Sequence, residues 1–129
     1  MQTDNETRYR TYLACLDERR LDDLAEHVHD ELIYNREPMT RRQYRDLIAA
    51  DIEAIPDLFY DGQIVVADAD GVGCRILFAC TPQRGFLGFT PNGARLEFAE
   101  HVFYRYREGR IAAVSSLIDR AAIAEQLGR

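Results

Sequence analysis

Residues 94–127 read ARLEFAEHVFYRYREGRIAAVSSLIDRAAIAEQL. Two apolar-rich runs flank Arg107-Glu108-Gly109-Arg110. Glu-Gly between such runs predicts a two-residue hairpin turn, because Gly109 takes φ > 0 without a steric penalty. One strand is expected over about 95–107 and its partner over 110–118. Both exceed the usual ~5–6 residues, and a long twisted ribbon makes a floor for the rest of the fold. Asp119 ends the second strand, and 121–127 reads as a short helix closing at Gly128.

The 129 residues fit one domain, read as 1–129, and the 47 % hydrophobic share is enough for a real core. A net charge of −6 and the lack of a basic run disfavour nucleic acid and a membrane surface as partners. No apolar run approaches the ~18 residues of a spanning helix. The polar start, residues 1–10, lacks a signal-peptide core, so a cytoplasmic location is expected. Cys15, Cys74 and Cys80 form an odd set without C-x-x-C spacing. Six residues along one strand separate the last two by roughly 20 Å, beyond disulfide reach. Three buried free thiols are expected.

Upstream, Thr3 and Glu6 fit a capping box for a helix over about 5–19, with Tyr9, Tyr12, Leu13 and Leu16 on one face. Asp22 can cap a second short helix carrying Leu21, Leu24, Ala25 and Val28. A brief strand at 32–34 and a turn at 35–39 follow. Thr40 and Gln43 make another capping box, for a helix to about Ala54. Its inner face carries Tyr44, Leu47, Ile48, Ile52 and Ile55, with Asp51 the one polar member. A hairpin over 58–67 and 72–81, turning through Asp68-Ala69-Asp70-Gly71, leads into a loop at 82–93. That loop holds Phe86, Leu87 and Phe89 and is read as a lip over one end of the sheet. Helices followed by four antiparallel strands predict one α+β domain.

Several short motifs also carry a resemblance. These are Y-N-R-E-P at 34–38, I-P-D-L at 55–58, G-F-L-G at 85–88, F-Y-R-Y-R-E-G-R-I at 103–111, I-D-R at 118–120 and Q-L-G at 126–128. Their order and spacing over 9–128 resemble the SnoaL-like polyketide cyclases and their ester cyclase relatives, in the nuclear-transport-factor-two-like superfamily. The resemblance implies a cone of about three N-terminal helices on a curved antiparallel sheet, with a central pocket. It also implies that Asp119 is the acid/base group; on its own chemistry, Asp119 is as readily the cap of the last helix. Two departures stand out. Ser115 replaces an aromatic residue common in the family, opening pocket volume. Pro82 stands where many members carry a His after the residue equivalent to Thr81.

Counting back from a turn at Glu108-Gly109 pairs Glu100 with Leu117 and Phe98 with Asp119. Glu100 and Asp119 then become diagonal neighbours about 7 Å apart. Their face also holds Val102, Tyr104, Ile111, Ala113, Ser115 and Leu117. Two carboxylates on an apolar floor push one pKa upward, as a general acid requires. The alternative for Glu100 is an ion pair with Arg75 or Arg95. His101 points to the opposite face, and a bulge would flip it inward as a partner of Asp119; the alternative is a half-buried structural His. Tyr12, Tyr34, Asn35, Tyr44 and Ser115 are the candidate substrate contacts; the alternative is core tyrosines and a turn Asn satisfying its own backbone.

His27 and His29 diverge on any helix and have no completing ligand, so no metal is expected. G-F-L-G lacks the Lys-Ser/Thr of a phosphate loop. The expectation is a cofactor-free acid/base enzyme, cyclase or isomerase in type, acting on a small hydrophobic carbonyl compound. Asp119 would be the base, and Glu100 or His101 would tune it. The alternative is a non-catalytic ligand-binding or dimerisation domain of the same fold. A homodimer is expected through the second sheet face, where Phe103, Val114 and Ile118 lie beside Arg105 and Arg107.

Overall fold

A computed structural model describes residues 4–128. Helix α1 (Asp4–Asp17) leads into a 3-10 turn (Leu21–Glu26), then strands β1 (Val28–Tyr34) and β2 (Glu37–Thr40) and helix α2 (Arg41–Ala54). Strands β3 (Asp61–Ala67), β4 (Gly71–Cys80), β5 (Leu96–Arg107) and β6 (Arg110–Ile118) follow, then helix α3 (Arg120–Leu127). Thr3, expected to cap α1, lies outside the described residues. The capping box of α2 forms as the spacing predicts. Gln43 N–H donates to Thr40 Oγ1 at 3.1 Å, and Thr40 N–H donates to Gln43 Oε1 at 2.9 Å.

One curved, unclosed sheet of six strands runs in the order β2-β1-β6-β5-β4-β3. The long hairpins are antiparallel, as expected. Strand β1, however, joins the far side of β6 in parallel, with Tyr34 beside Val114. Residues 35–39, expected as a turn only, include a tight reversal through Asn35 (φ 47°) and Arg36 (φ 74°) into edge strand β2. The expected second helix is a 3-10 turn, and Val28 belongs to β1. The helices cover one face of the sheet. Tyr9, Tyr12, Leu16, Ile48 and Ile55 pack there on Cys74, Ile76, Val102, Tyr104 and Val114. In the lip, buried Phe86 stacks on Phe98 at 6.3 Å, while Arg120 donates to Leu87 O at 2.7 Å and lies over the Phe89 ring.

The hairpin turn forms at Glu108 (φ 54°) and Gly109 (φ 80°), with Arg107 opposite Arg110 and Tyr106 opposite Ile111. The next pair is Arg105 with Ala113, so Ala112 is squeezed out of the ladder as a bulge. From there every partner on β6 sits one residue later than an unbroken count predicts. Glu100 faces Ile118, not Leu117. Because side chains alternate along a strand, the slip exchanges the faces. Val114, Ser116 and Ile118 turn toward the helices, and Ser115 and Leu117 turn away. Val114, expected on the outer face, is buried. The outer face instead exposes Phe103 (64 %), Leu117 (73 %), Ile64 (56 %) and Val66 (61 %).

Candidate active site

Glu100 projects from β5 toward the helices between Phe98 and Val102, both buried. Its carboxylate accepts a hydrogen bond from Ser116 Oγ. Ser116 is held in turn by Asn35, whose Oδ1 accepts from Ser116 N–H at 2.8 Å while Asn35 N–H donates to Val114 O at 2.8 Å. The Asn35 side chain thus extends the β1–β6 ladder beyond the end of β1. The left-handed backbone at Asn35 allows this, a conformation Asn tolerates better than most residues. Asn35 therefore positions Ser116, and Ser116 positions Glu100. Burial pushes the Glu100 carboxyl above the usual carboxylate range; the Ser116 hydrogen bond opposes the shift, and the charge of Asp51 adds to it.

Neither expected ion pair forms. Arg75 Nη1 donates to His101 Nε2 at 2.7 Å on the outer face, and Arg95 reaches Glu97 at 3.5 Å. β4 and β5 pair without interruption from Leu96 to Arg105, so no bulge turns His101 inward. Its ring is exposed and turned away from Glu100.

Asp119 does not share the face of Glu100. Its N–H donates to Ala99 O at 3.0 Å, and its Oδ1 accepts from Ala122 N–H at 3.1 Å as the cap of α3. It is exposed, and lines an outer groove with Arg75, Ala99, His101 and Leu117. The expected Glu100–Asp119 diagonal is corrected by the Ala112 bulge. Ser115 is corrected with it: it is exposed opposite Phe103, lining an outer groove of about 440 Å³.

The tyrosines divide. Tyr12 and Tyr44 are buried, their hydroxyls 2.6 Å apart, so each satisfies the other. Tyr34 is half-buried, with its ring 5.9 Å from that of Tyr44. Burial raises its hydroxyl pKa, the Glu100 charge adds to the rise, and Ser116 opposes it.

Two residues outside the sequence candidates complete the surroundings. Ser116 escaped because the bulge has no marker among Ile111-Ala112-Ala113. Asp51 had a signal, as the one polar side chain on the inner face of α2. Burial raises its carboxyl to about 6. Its charge acts on Glu100, Tyr34 and Tyr60.

Helices laid over one face of a curved six-stranded sheet define an α+β protein of the nuclear-transport-factor-two type. The SnoaL-like polyketide cyclase profile matches residues 6–127, and the chain belongs to that family. A SnoaL-like polyketide cyclase from Agrobacterium tumefaciens is 38 % identical, with TM-score 0.93 over 99 % of this chain and 100 % of that one. IdmH from Streptomyces antibioticus (19 % identity, TM-score 0.85, 98 % and 100 % covered) has the same fold. So does TsrD from Streptomyces laurentii (18 % identity, TM-score 0.87, 99 % and 98 % covered). No curated protein sequence matches the chain. Among the described residues, no helix is long and apolar enough to cross a membrane.

Proposed function

We propose that this protein is a cofactor-free acid/base enzyme, cyclase or isomerase in type. Its substrate would be a small hydrophobic carbonyl compound bound between the helices and the sheet, with Glu100 as the base. One observation carries the proposal: the carboxylate of Glu100 lies among aromatic and aliphatic side chains, held by Ser116, with no cation beside it among the described residues. Such a carboxylate keeps its proton to higher pH and is a stronger base when it loses it. Glu100 would take a proton from the carbon next to the carbonyl, and Ser116 would fix its orientation. Membership of a polyketide cyclase family supports the substrate class. The three unpaired thiols fit a reducing compartment such as the cytoplasm.

The test is solvent deuterium exchange, followed by NMR, at the α-carbon of neutral aryl β-diketones. Glu100→Gln should slow exchange by about 10²–10⁴-fold. Exchange surviving within tenfold would remove Glu100 as the base.

The apolar outer face supports a homodimer as a further part of this proposal. Phe103, Leu117, Ile64 and Val66 form a patch that a second copy can cover about a two-fold axis.

A further inference from the structure

We propose that Asp51 is the second acid/base group of the same site: it faces Glu100 from α2 and exchanges a proton with the substrate's oxygen while Glu100 handles the carbon-bound proton. This rests on the proposed role of Glu100.

The position is the first argument. Tyr44, Ile48 and Ile55 share the inner face of α2 with Asp51, and all three are buried. A carboxylate in that stripe opposes the pattern that packs the helix. Buried and half-buried carboxylates are normally paired or hydrogen-bonded. Asp51 has no hydrogen bond or ion pair at its carboxyl among the described residues. The fold bears a misfitting charge that it does not use.

The second argument is the pairing. Asp51 comes from the helical layer and Glu100 from the sheet, and the charge of Asp51 reaches Glu100. A flat carbonyl compound bound between the layers would meet one carboxyl from each. The other titratable groups facing Glu100 are Tyr9 from α1, Tyr34 from β1, Tyr44 from α2, Tyr60 ahead of β3, Cys74 from β4 and Tyr104 from β5. Burial raises every one of them, so all are neutral near pH 7. The two carboxyls are the groups left to hold and move a proton there, and burial together with the charge of Asp51 pushes the Glu100 carboxyl up.

The transfer balances with one proton shared between them. The Glu100 carboxylate takes the proton from carbon, and that C–H electron pair becomes the C=C bond of an enol. Protonated Asp51 gives its proton to the carbonyl oxygen as the C=O π pair moves onto it. Attack of the enol carbon on a second carbonyl reverses both transfers. Glu100 protonates the new alkoxide, Asp51 recovers the enol proton, and neither an oxidant nor a metal is consumed.

Carboxyl-carbon NMR titration of wild type, Asp51→Asn and Glu100→Gln tests the pairing without any substrate. Asp51→Asn should lower the Glu100 midpoint toward the ordinary glutamate range, and Glu100→Gln should lower that of Asp51. Midpoints unmoved in both variants would show that the groups do not share a site, and would overturn the proposal while leaving Glu100 as a possible base. Kinetics on the aryl β-diketone probe give the second arm. Asp51→Asn should lower kcat about 10–100-fold with KM within threefold, and should remove one limb of the pH–rate profile. Asp51→Glu should restore that limb. Coupled titrations with kcat unchanged would leave Asp51 a neighbour and not a proton donor. Wild-type protein that exchanges no deuterium would overturn the role of Glu100, and this proposal with it.

Discussion

The Ser116 hydroxyl donates to the Glu100 carboxylate across a strand diagonal that exists because Ala112 is squeezed out of the β5–β6 ladder. A hydrogen bond to the charged form favours it, so Ser116→Ala should raise the Glu100 midpoint further. The folded-state value already lies above the unfolded one. The stability linked to Glu100 is therefore fully present below the unfolded pKa and is lost as pH rises through the folded one. Glu100→Gln should raise Tm at pH 8 relative to wild type, and the gain should shrink at pH 4. Thermal unfolding at both values checks this; an equal change at each would contradict it.

Asp119 caps α3 through Ala122 N–H. Asp119→Ala should cost about 1 kcal/mol, and Asp119→Asn much less, since Asn also accepts at a helix start. Denaturant unfolding separates them. A large loss with Asn would mean that charge, not capping, matters there.

Gly71 opens β4 against Arg105, and a Cβ built on it would lie 2.1 Å from Tyr104 O. The nearest atoms are all backbone of β5, so nothing soft is there to yield. Gly71→Ala should lose about 1–3 kcal/mol, as overpacking does, and weaken protection of β4 amides. The control, Gly93→Ala, meets no atom within 4 Å, although its φ of 85° costs some strain. Hydrogen exchange would distinguish a local effect from a global one.

Phe103 is 64 % exposed at the centre of the outer patch. Phe103→Arg should convert a dimer into a folded monomer, read by sedimentation velocity at tens of micromolar with unchanged circular dichroism. A wild-type protein already monomeric there would remove the dimer.

The periodic parts of the fold were legible. Thr40 and Gln43 announced the start of α2, Asp68–Gly71 and Glu108-Gly109 announced both hairpin turns, and strand β6 fell over 110–118. The family was legible in short motifs. What failed was parity. A bulge changes no residue type, yet one extra residue moved Ser115 out, Ser116 in, and Asp119 away from Glu100. The parallel β1–β6 pair was equally silent, because nothing local in Leu32-Ile33-Tyr34 names a partner about eighty residues away. Asp51 was visible as an anomaly on the inner face of α2, but nothing local in the sequence linked its charge to Glu100.

The same pair governs the order in which the chain can mature. β1 emerges early, but the neighbour that holds its inner edge is the last strand made, and the Asn35 clasp closes on Ser116. A ribosome-bound chain lacking residues beyond 110 carries β1 and β2 as a hairpin with no strand on the inner edge of β1. Such long-range closure is slow, because the loop entropy is spent before the contact forms. The link that sets the geometry around Glu100 is therefore completed only after nearly the whole polypeptide has been synthesised.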